Sequence, residues 1–94
     1  MGSTRQQRKE VYYSGHVQGV GFRYLTQQIA RDFDVTGFVK NLSDGRVKLV
    51  VEAEPTEMIR FLHEIGHRLG EYIRDEKVAE LAPSGEFTGF SIRH

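Results

Sequence analysis

The sequence contains no cysteine and no excess of charge of either sign. Without cysteine there are no disulfides, thiolate metal sites or cysteine nucleophiles, so any chemistry must use oxygen and nitrogen groups, as suits a cytoplasmic protein. The 13 basic residues balance the 13 acidic ones. We therefore expect neither nucleic acid nor an anionic membrane as a partner.

Long apolar runs are also missing, since none approaches transmembrane length and the first residues are too polar for a signal peptide. Residues 1–9 have little to bury and are expected to form a disordered polar tail. The remaining residues, 10–94, are expected to form a single domain with one modest core and one small site.

The spacing of apolar residues predicts five strands and two helices. The strands are expected over 10–17, 35–42, 47–53 and 87–93, with a fourth centred on 77–81, and the helices over 22–33 and 55–69. An Asp-Gly pair at positions 44–45 predicts a hairpin. This β-α-β-β-α-β order with an additional short C-terminal strand is typical of an α+β, ferredoxin-like α/β sandwich, an antiparallel sheet with two helices on one face.

A glycine-rich loop lies between the first strand and the first helix. Gly15, Gly19 and Gly21 allow the backbone to curl and direct several N–H groups into one concavity, a geometry that binds anions. Arg23 follows in the first turn of the helix, where a guanidinium can bind a phosphoryl group bidentately. The P-loop lysine and the third glycine of a dinucleotide motif are both missing. The alternative is a tight turn followed by an ordinary surface arginine.

The predicted second helix contains a sequence that fits the H-E-x-x-H pattern of zinc proteases. It comprises His63, Glu64 and His67. Helical geometry places an apolar stripe on one side of the helix and these residues on the opposite, solvent side; the stripe is Met58, Leu62, Ile65 and Leu69. A catalytic zinc also needs a third ligand and a supporting cleft. We therefore expect no metal site.

Two segments resemble the two signatures of the acylphosphatase family, in the right order and at the right spacing. They are VQGVGFR at 17–23 and GFVKNLSDGRV at 37–47. The resemblance extends over 11–93 and includes SGEFTGFSIR at 84–93. It implies a ferredoxin-like fold and the hydrolysis of the carboxyl–phosphate bond of acyl phosphates to carboxylate and inorganic phosphate, without a metal or an organic cofactor.

The resemblance also implies a role for each site residue. Arg23 would bind the phosphoryl group and Asn41 would orient the attacking water. The phosphate would lie against the loop formed by Gln18, Gly19, Val20, Gly21, Phe22 and Arg23. The expected partners are a small-molecule acyl phosphate and phosphate or another anion in this loop, and the chain is expected to work as a monomer in the cytoplasm.

Other functions remain compatible with this fold. One is a non-catalytic ferredoxin-like ligand-binding or regulatory module, because a fold alone does not decide function. Another is the acylphosphatase-like domain of a carbamoyl-transferring hydrogenase-maturation protein, which the same signatures resemble. An RNA-binding domain is least favoured, because it would need aromatic residues displayed on the central strands and a basic surface.

Overall fold

The computed structural model describes residues 5–94, which form five strands and two helices. The elements are β1 (Gln7–Gly15), α1 (Phe22–Ala30), β2 (Thr36–Asn41), β3 (Val47–Ala53), α2 (Pro55–Leu69), β4 (Ile73–Leu81) and β5 (Phe90–Arg93). A short 3₁₀ turn over Gly70–Tyr72 leads from α2 into β4. No helix in this part of the chain is long and apolar enough to cross a membrane.

The five strands form one sheet in the order β4-β1-β3-β2-β5. The first four are antiparallel to their neighbours, but β5 runs parallel to β2. The ferredoxin-like fold is therefore confirmed, whereas a wholly antiparallel sheet is wrong for its last strand. The reason is geometric: β4 ends beside Arg8 and β5 begins beside Gly37. Both points lie at the same end of the sheet, which is also the end where β2 begins. The chain therefore enters β5 from that end, and β5 runs in the same direction as β2.

Both helices pack on one face of the sheet and enclose the core. Val11 and Val39 lie opposite Leu49 on neighbouring strands, and Phe61 and Ile65 of α2 cover this row. All five are fully buried, and each buried side chain of this size stabilises the fold by about 1.5–3 kcal/mol. The predicted stripe on α2 is confirmed, and Phe61 extends it.

The boundaries of several elements differ from the expected ones. Helix α1 ends at Ala30 because the next three N–H groups bond to carbonyls three residues earlier, which tightens the last turn. Phe33 still reaches the core, where its ring lies 5.8 Å from that of Phe61. Strand β4 begins at Ile73, earlier than its predicted centre indicates, and β5 begins only at Phe90.

The hairpin between β2 and β3 is confirmed, with a different turn from the one that Asp-Gly usually forms. Leu42 N–H donates to the Arg46 carbonyl at 2.8 Å, and the intervening loop has three residues. Only Gly45 has a positive φ, at 96°, so the loop is a turn followed by a glycine bulge. The Arg46 N–H bond, with the Arg46 guanidinium adding to it, holds the pKa of Asp44 below its ordinary value.

The polar start of the chain is partly ordered. Strand β1 begins at Gln7, and residues 7–9 pair with the last three residues of β3. A disordered tail over residues 1–9 is therefore wrong for residues 7–9, and residues 1–4 lie outside the described residues. The polar side chains were misleading because Arg8 forms ion pairs with Glu10 and Glu52 on the sheet face that the helices leave open.

Glu52 holds the connection between β4 and β5 against this open face. The carboxylate is 2% exposed and accepts bonds from the N–H groups of Ser84 and Gly85, from the Ser84 hydroxyl and from Arg8. Burial by itself would raise the pKa of Glu52, but these four bonds together lower it below the ordinary value. The ionised carboxylate is therefore part of the folded structure.

Replacing Glu52→Gln should reduce the free energy of unfolding at neutral pH by about 2–3 kcal/mol, because charged hydrogen bonds are lost and an amide N–H faces other donors. Because the folded-state pKa of Glu52 is lowered, its contribution is present above the unfolded-state pKa of about 4.3 and is lost as the pH falls below it. Urea unfolding of both proteins at pH 7 and pH 3 should show a smaller difference at pH 3. The exposed Glu80→Gln is the matched control, and an equal loss there would contradict the assignment.

Candidate functional site

A cavity of about 240 Å³ opens where β1, β2 and β5 end, at the opposite end of the sheet from Glu52. Three segments contribute to it: the loop between β1 and α1, the last residue of β2, and the end of β5. The lining residues are Val17, Gly19, Gly21, Phe22, Arg23, Tyr24, Asn41, Ile92 and His94. None of these described residues carries a carboxylate side chain, so the cavity favours an anionic ligand.

The loop before α1 leaves backbone N–H groups free to bind a ligand. Gly19 and Gly21 have φ angles of 81° and 80°, a left-handed conformation that residues with a Cβ rarely adopt. Gly21 is the N-cap of α1, and in the described part of the chain no side chain caps this helix. The N–H groups of its first turn therefore remain available, at the end of the helix where the dipole favours an anion.

Arg23 is held at the mouth of the cavity by the end of β5. Its Nη1 donates to the carbonyl oxygen of Arg93 at 3.2 Å and lies 3.3 Å from the Nδ1 of His94. The carbonyl restrains a side chain that would otherwise be free to move at a helix start, where the dipole is unfavourable for a cation. The carbonyl of Arg93 thus holds the guanidinium at the same cavity that the glycine-rich loop lines.

Asn41 lines the same cavity and has an unpaired acceptor. It is the last residue of β2 and lies on the helix side of the sheet, like Gly37 and Val39. Its Oδ1 is buried and accepts no hydrogen bond from any described residue. A buried acceptor without a partner costs about 1–3 kcal/mol, and most such groups in native proteins have one. This atom is therefore suited to accept a hydrogen bond from a water molecule or a ligand.

Gln18 does not line the cavity but joins its two walls. Its Nε2 donates to the carbonyl oxygens of both Leu42 and Arg46 at 2.9 Å. These carbonyls belong to the β2–β3 hairpin, so the amide ties the loop to the strand that carries Asn41. This side chain thereby helps to fix the separation between the N–H groups of the loop and the Oδ1 of Asn41.

The structure brings most of the expected site residues together. Gly19, Gly21, Phe22, Arg23 and Asn41 all line the cavity, whereas Gln18 points to the hairpin and the side chain of Val20 packs against the core.

The sequence patterns did not identify Ile92, His94 or the carbonyl of Arg93 as parts of the site. These groups reach the cavity because β5 lies parallel to β2, and no local motif indicates that pairing.

The zinc-protease pattern lies elsewhere. His63 and His67 are exposed on the outer face of α2, as the helical spacing predicts. Among residues 5–94, no group of three or more His, Cys, Asp or Glu side chains could hold a metal ion. The two histidines are therefore separate from the cavity around Arg23.

The cavity combines the guanidinium of Arg23, free N–H groups, the amide oxygen of Asn41 and the imidazole of His94, and none of its described lining residues has a carboxylate side chain. Tyr13 lies nearby, with its ring 5.3 Å from that of Phe22. Burial, and to a smaller extent Glu76, raises the pKa of Tyr13 well above its ordinary value, so its hydroxyl stays protonated. Such a site can bind a phosphoryl group and position water without a carboxylate side chain as a base.

Comparison with known proteins identifies the family. The acylphosphatase family model matches residues 9–92. An acylphosphatase of Marinobacter nauticus is 44% identical over 89 residues, which cover 93% of this chain and 96% of that protein. The crystal structure of an acylphosphatase from Bacillus subtilis matches with a TM-score of 0.83 at 29% identity, over 94% of this chain and 99% of that one.

A larger protein contains a similar domain. Full-length HypF, in a phosphate- and nucleotide-bound form, matches with a TM-score of 0.89 at 28% identity over 99% of this chain but only 12% of its own. The Marinobacter protein, in contrast, is matched over nearly its whole length. The family model and these relatives show that the chain belongs to the acylphosphatase family, whose members hydrolyse the carboxyl–phosphate bond of acyl phosphates.

Proposed function

We propose that the chain hydrolyses acyl phosphates with a division of labour between two elements. The loop over residues 18–23 binds the phosphoryl group through its N–H groups and the guanidinium of Arg23. Asn41, from β2, orients the water that attacks it. The observation that carries this proposal is the buried, unpaired Oδ1 of Asn41 in the same cavity as Arg23.

The reaction needs little covalent help from the protein. The water oxygen forms a bond to phosphorus while the bond from phosphorus to the carboxyl oxygen breaks, and its electron pair leaves with the carboxylate. One proton of the water passes to a phosphoryl oxygen, so the products are carboxylate and dihydrogen phosphate. Because an acyl phosphate has a good leaving group, positioning and charge stabilisation supply most of the catalysis.

Arg23 carries the charge stabilisation in this scheme. Arg23→Ala should lower kcat/KM for a simple acyl phosphate by about 10³-fold and raise KM, since both substrate and transition state lose their cation. Arg23→Lys keeps the charge but loses the bidentate fork and should recover only part of the rate. Steady-state kinetics measures both effects, with Arg31→Ala, an exposed arginine just beyond α1, as the control. Undiminished turnover by Arg23→Ala would contradict the assignment.

Asn41 should affect kcat rather than KM, because its contact is with water and not with the bound phosphate. Asn41→Ala should lower kcat by about 10²- to 10³-fold with little change in KM. The substitution removes a buried acceptor that has no partner, so no hydrogen bond within the described chain is lost with it. The melting temperature should therefore not fall. A rise in KM at constant kcat would instead make Asn41 a phosphate ligand.

Gln18 is a positioning residue in this scheme, since it contacts the hairpin and not the cavity. Gln18→Leu should lower kcat by about 10- to 100-fold through misplacement of the loop relative to Asn41. In a double-mutant cycle, Gln18→Leu should have much less effect in the Asn41→Ala background. Gln27→Leu on α1 is the matched control, because Gln27 does not line the cavity and its side chain forms no hydrogen bond with the described residues. Additive losses would indicate that Gln18 acts independently of Asn41.

We also propose that the enzyme works as a monomer in the cytoplasm. The proposed scheme needs no second copy, because the loop, Arg23 and Asn41 that it uses all come from the same chain. Support for the compartment is the complete lack of cysteine, since such a fold needs no oxidising environment.

A further inference from the structure

The open face of the sheet carries a row of four cations and one tyrosine that crosses all five strands. Tyr12 of β1 lies opposite Lys77 of β4 on one side and Lys48 of β3 on the other. Lys48 lies opposite Lys40 of β2, which lies beside Arg93 of β5. Partners in register point to the same face, so these residues form one line, here called the cation row: Lys77, Tyr12, Lys48, Lys40 and Arg93. At about 4.8 Å per strand it is about 19 Å long.

The charges of this row are not neutralised within the described part of the chain. None of the ion pairs there involves Lys77, Lys48, Lys40 or Arg93. Like charges on directly opposite strand residues repel and destabilise a sheet, and this row has two such contacts in succession. An anionic chain lying across the strands would remove that repulsion.

The carboxylates of this face are engaged elsewhere or lie outside the row. Glu10 pairs with Arg8 and accepts a bond from the Tyr12 hydroxyl, while Glu52 is bound by Arg8 and the loop at residues 84–85. Asp44 pairs with Arg46. Asp75 lies opposite Ser14, two positions along the strand from Tyr12. The row therefore presents net positive charge to solvent.

Two arginines on this face have their guanidinium groups over aromatic rings. The guanidinium carbon of Arg93 is 3.9 Å from the centroid of the Phe38 ring, and that of Arg46 is 4.8 Å from the centroid of Tyr12. Stacking holds these planar groups in place before any ligand binds, and their outer faces are surfaces on which bases can stack. An acidic peptide would supply charges for the lysines but no flat groups for the arginines.

We infer that the cation row binds single-stranded nucleic acid, with phosphates along the row and bases against the Arg46 and Arg93 planes. Bases are free to stack on the Arg46 and Arg93 planes in a single strand, whereas in a duplex they are stacked and paired with each other. This site is separate from the cavity around Arg23, which opens at the end of the sheet. The expectation that no nucleic acid binds came from a net charge of 0, which sums over the whole surface and ignores where the charges lie.

The test is the fluorescence anisotropy of a fluorescein-labelled twelve-nucleotide polyuridine titrated with the protein. Binding that neutralises three or four phosphates should weaken by about 20- to 50-fold between 50 and 200 mM salt, because each contact contributes about −0.7 to the logarithmic salt slope. Lys40→Gln and Lys48→Gln should each weaken binding several-fold and reduce the slope by about 0.7. Arg68→Gln removes an exposed cation of α2 on the opposite side of the molecule. It should change neither the affinity nor the salt slope.

Thermal melts followed by circular dichroism distinguish weaker binding from unfolding. Because Lys40→Gln relieves repulsion between neighbouring cations, this variant should melt no lower than the wild type. No binding at 50 mM salt, or an equal loss in Arg68→Gln, would overturn the proposal. Displacement of the RNA by inorganic phosphate at constant ionic strength would place it in the Arg23 cavity instead. Polyglutamate binding with equal affinity and the same dependence on Lys40 would mean that the row recognises acidic peptides, which also overturns it.

Discussion

The pairing of β3 with both β1 and β2 is the constraint on which the site depends. Strand β3 lies between two strands that are antiparallel to it, so β1 and β2 run in the same direction and end at the same edge of the molecule. The end of β1 leads into the glycine-rich loop, and the end of β2 carries Asn41. Residues 18 positions apart in sequence, Arg23 and Asn41, meet there only because β3 holds both strands in register.

The two ends of the sheet treat buried side-chain oxygens in opposite ways. At one end, Glu52 accepts four hydrogen bonds and closes the connection to β5. At the other end, the Oδ1 of Asn41 has no partner in the described chain and α1 begins without a capping side chain. Satisfied groups stabilise the fold, whereas unsatisfied ones leave binding capacity for a ligand. Stability and chemistry are therefore separated along the strands.

Charge also differs between the two faces of the sheet. The helix layer covers one face of the sheet, and the other face displays cations, two of which lie over aromatic rings. A strand places alternate residues on opposite faces, so neighbours such as Lys48 and Leu49 contribute to the cation row and to the core respectively. The same five strands thus support the cavity around Arg23 at one end and a basic surface on one face.

The sequence by itself determined the helices and strands whose periodicity is strong and local. Helix α2 and strand β3 have the predicted bounds, and the two family signatures contain Arg23 and Asn41. Spacing along one segment reports which face of that segment is buried, so these elements could be predicted without knowledge of their neighbours.

Only the tertiary structure decided how distant segments pair. It placed β5 parallel to β2, ordered the polar residues at the start of β1 through Arg8 and Glu52, and directed the amide of Gln18 to the hairpin. It also aligned four cations that are scattered through the sequence. Each of these features depends on backbone hydrogen bonds between strands or on contacts across the fold. A pattern of side chains within one segment does not specify them, because many partners would satisfy the same alternation.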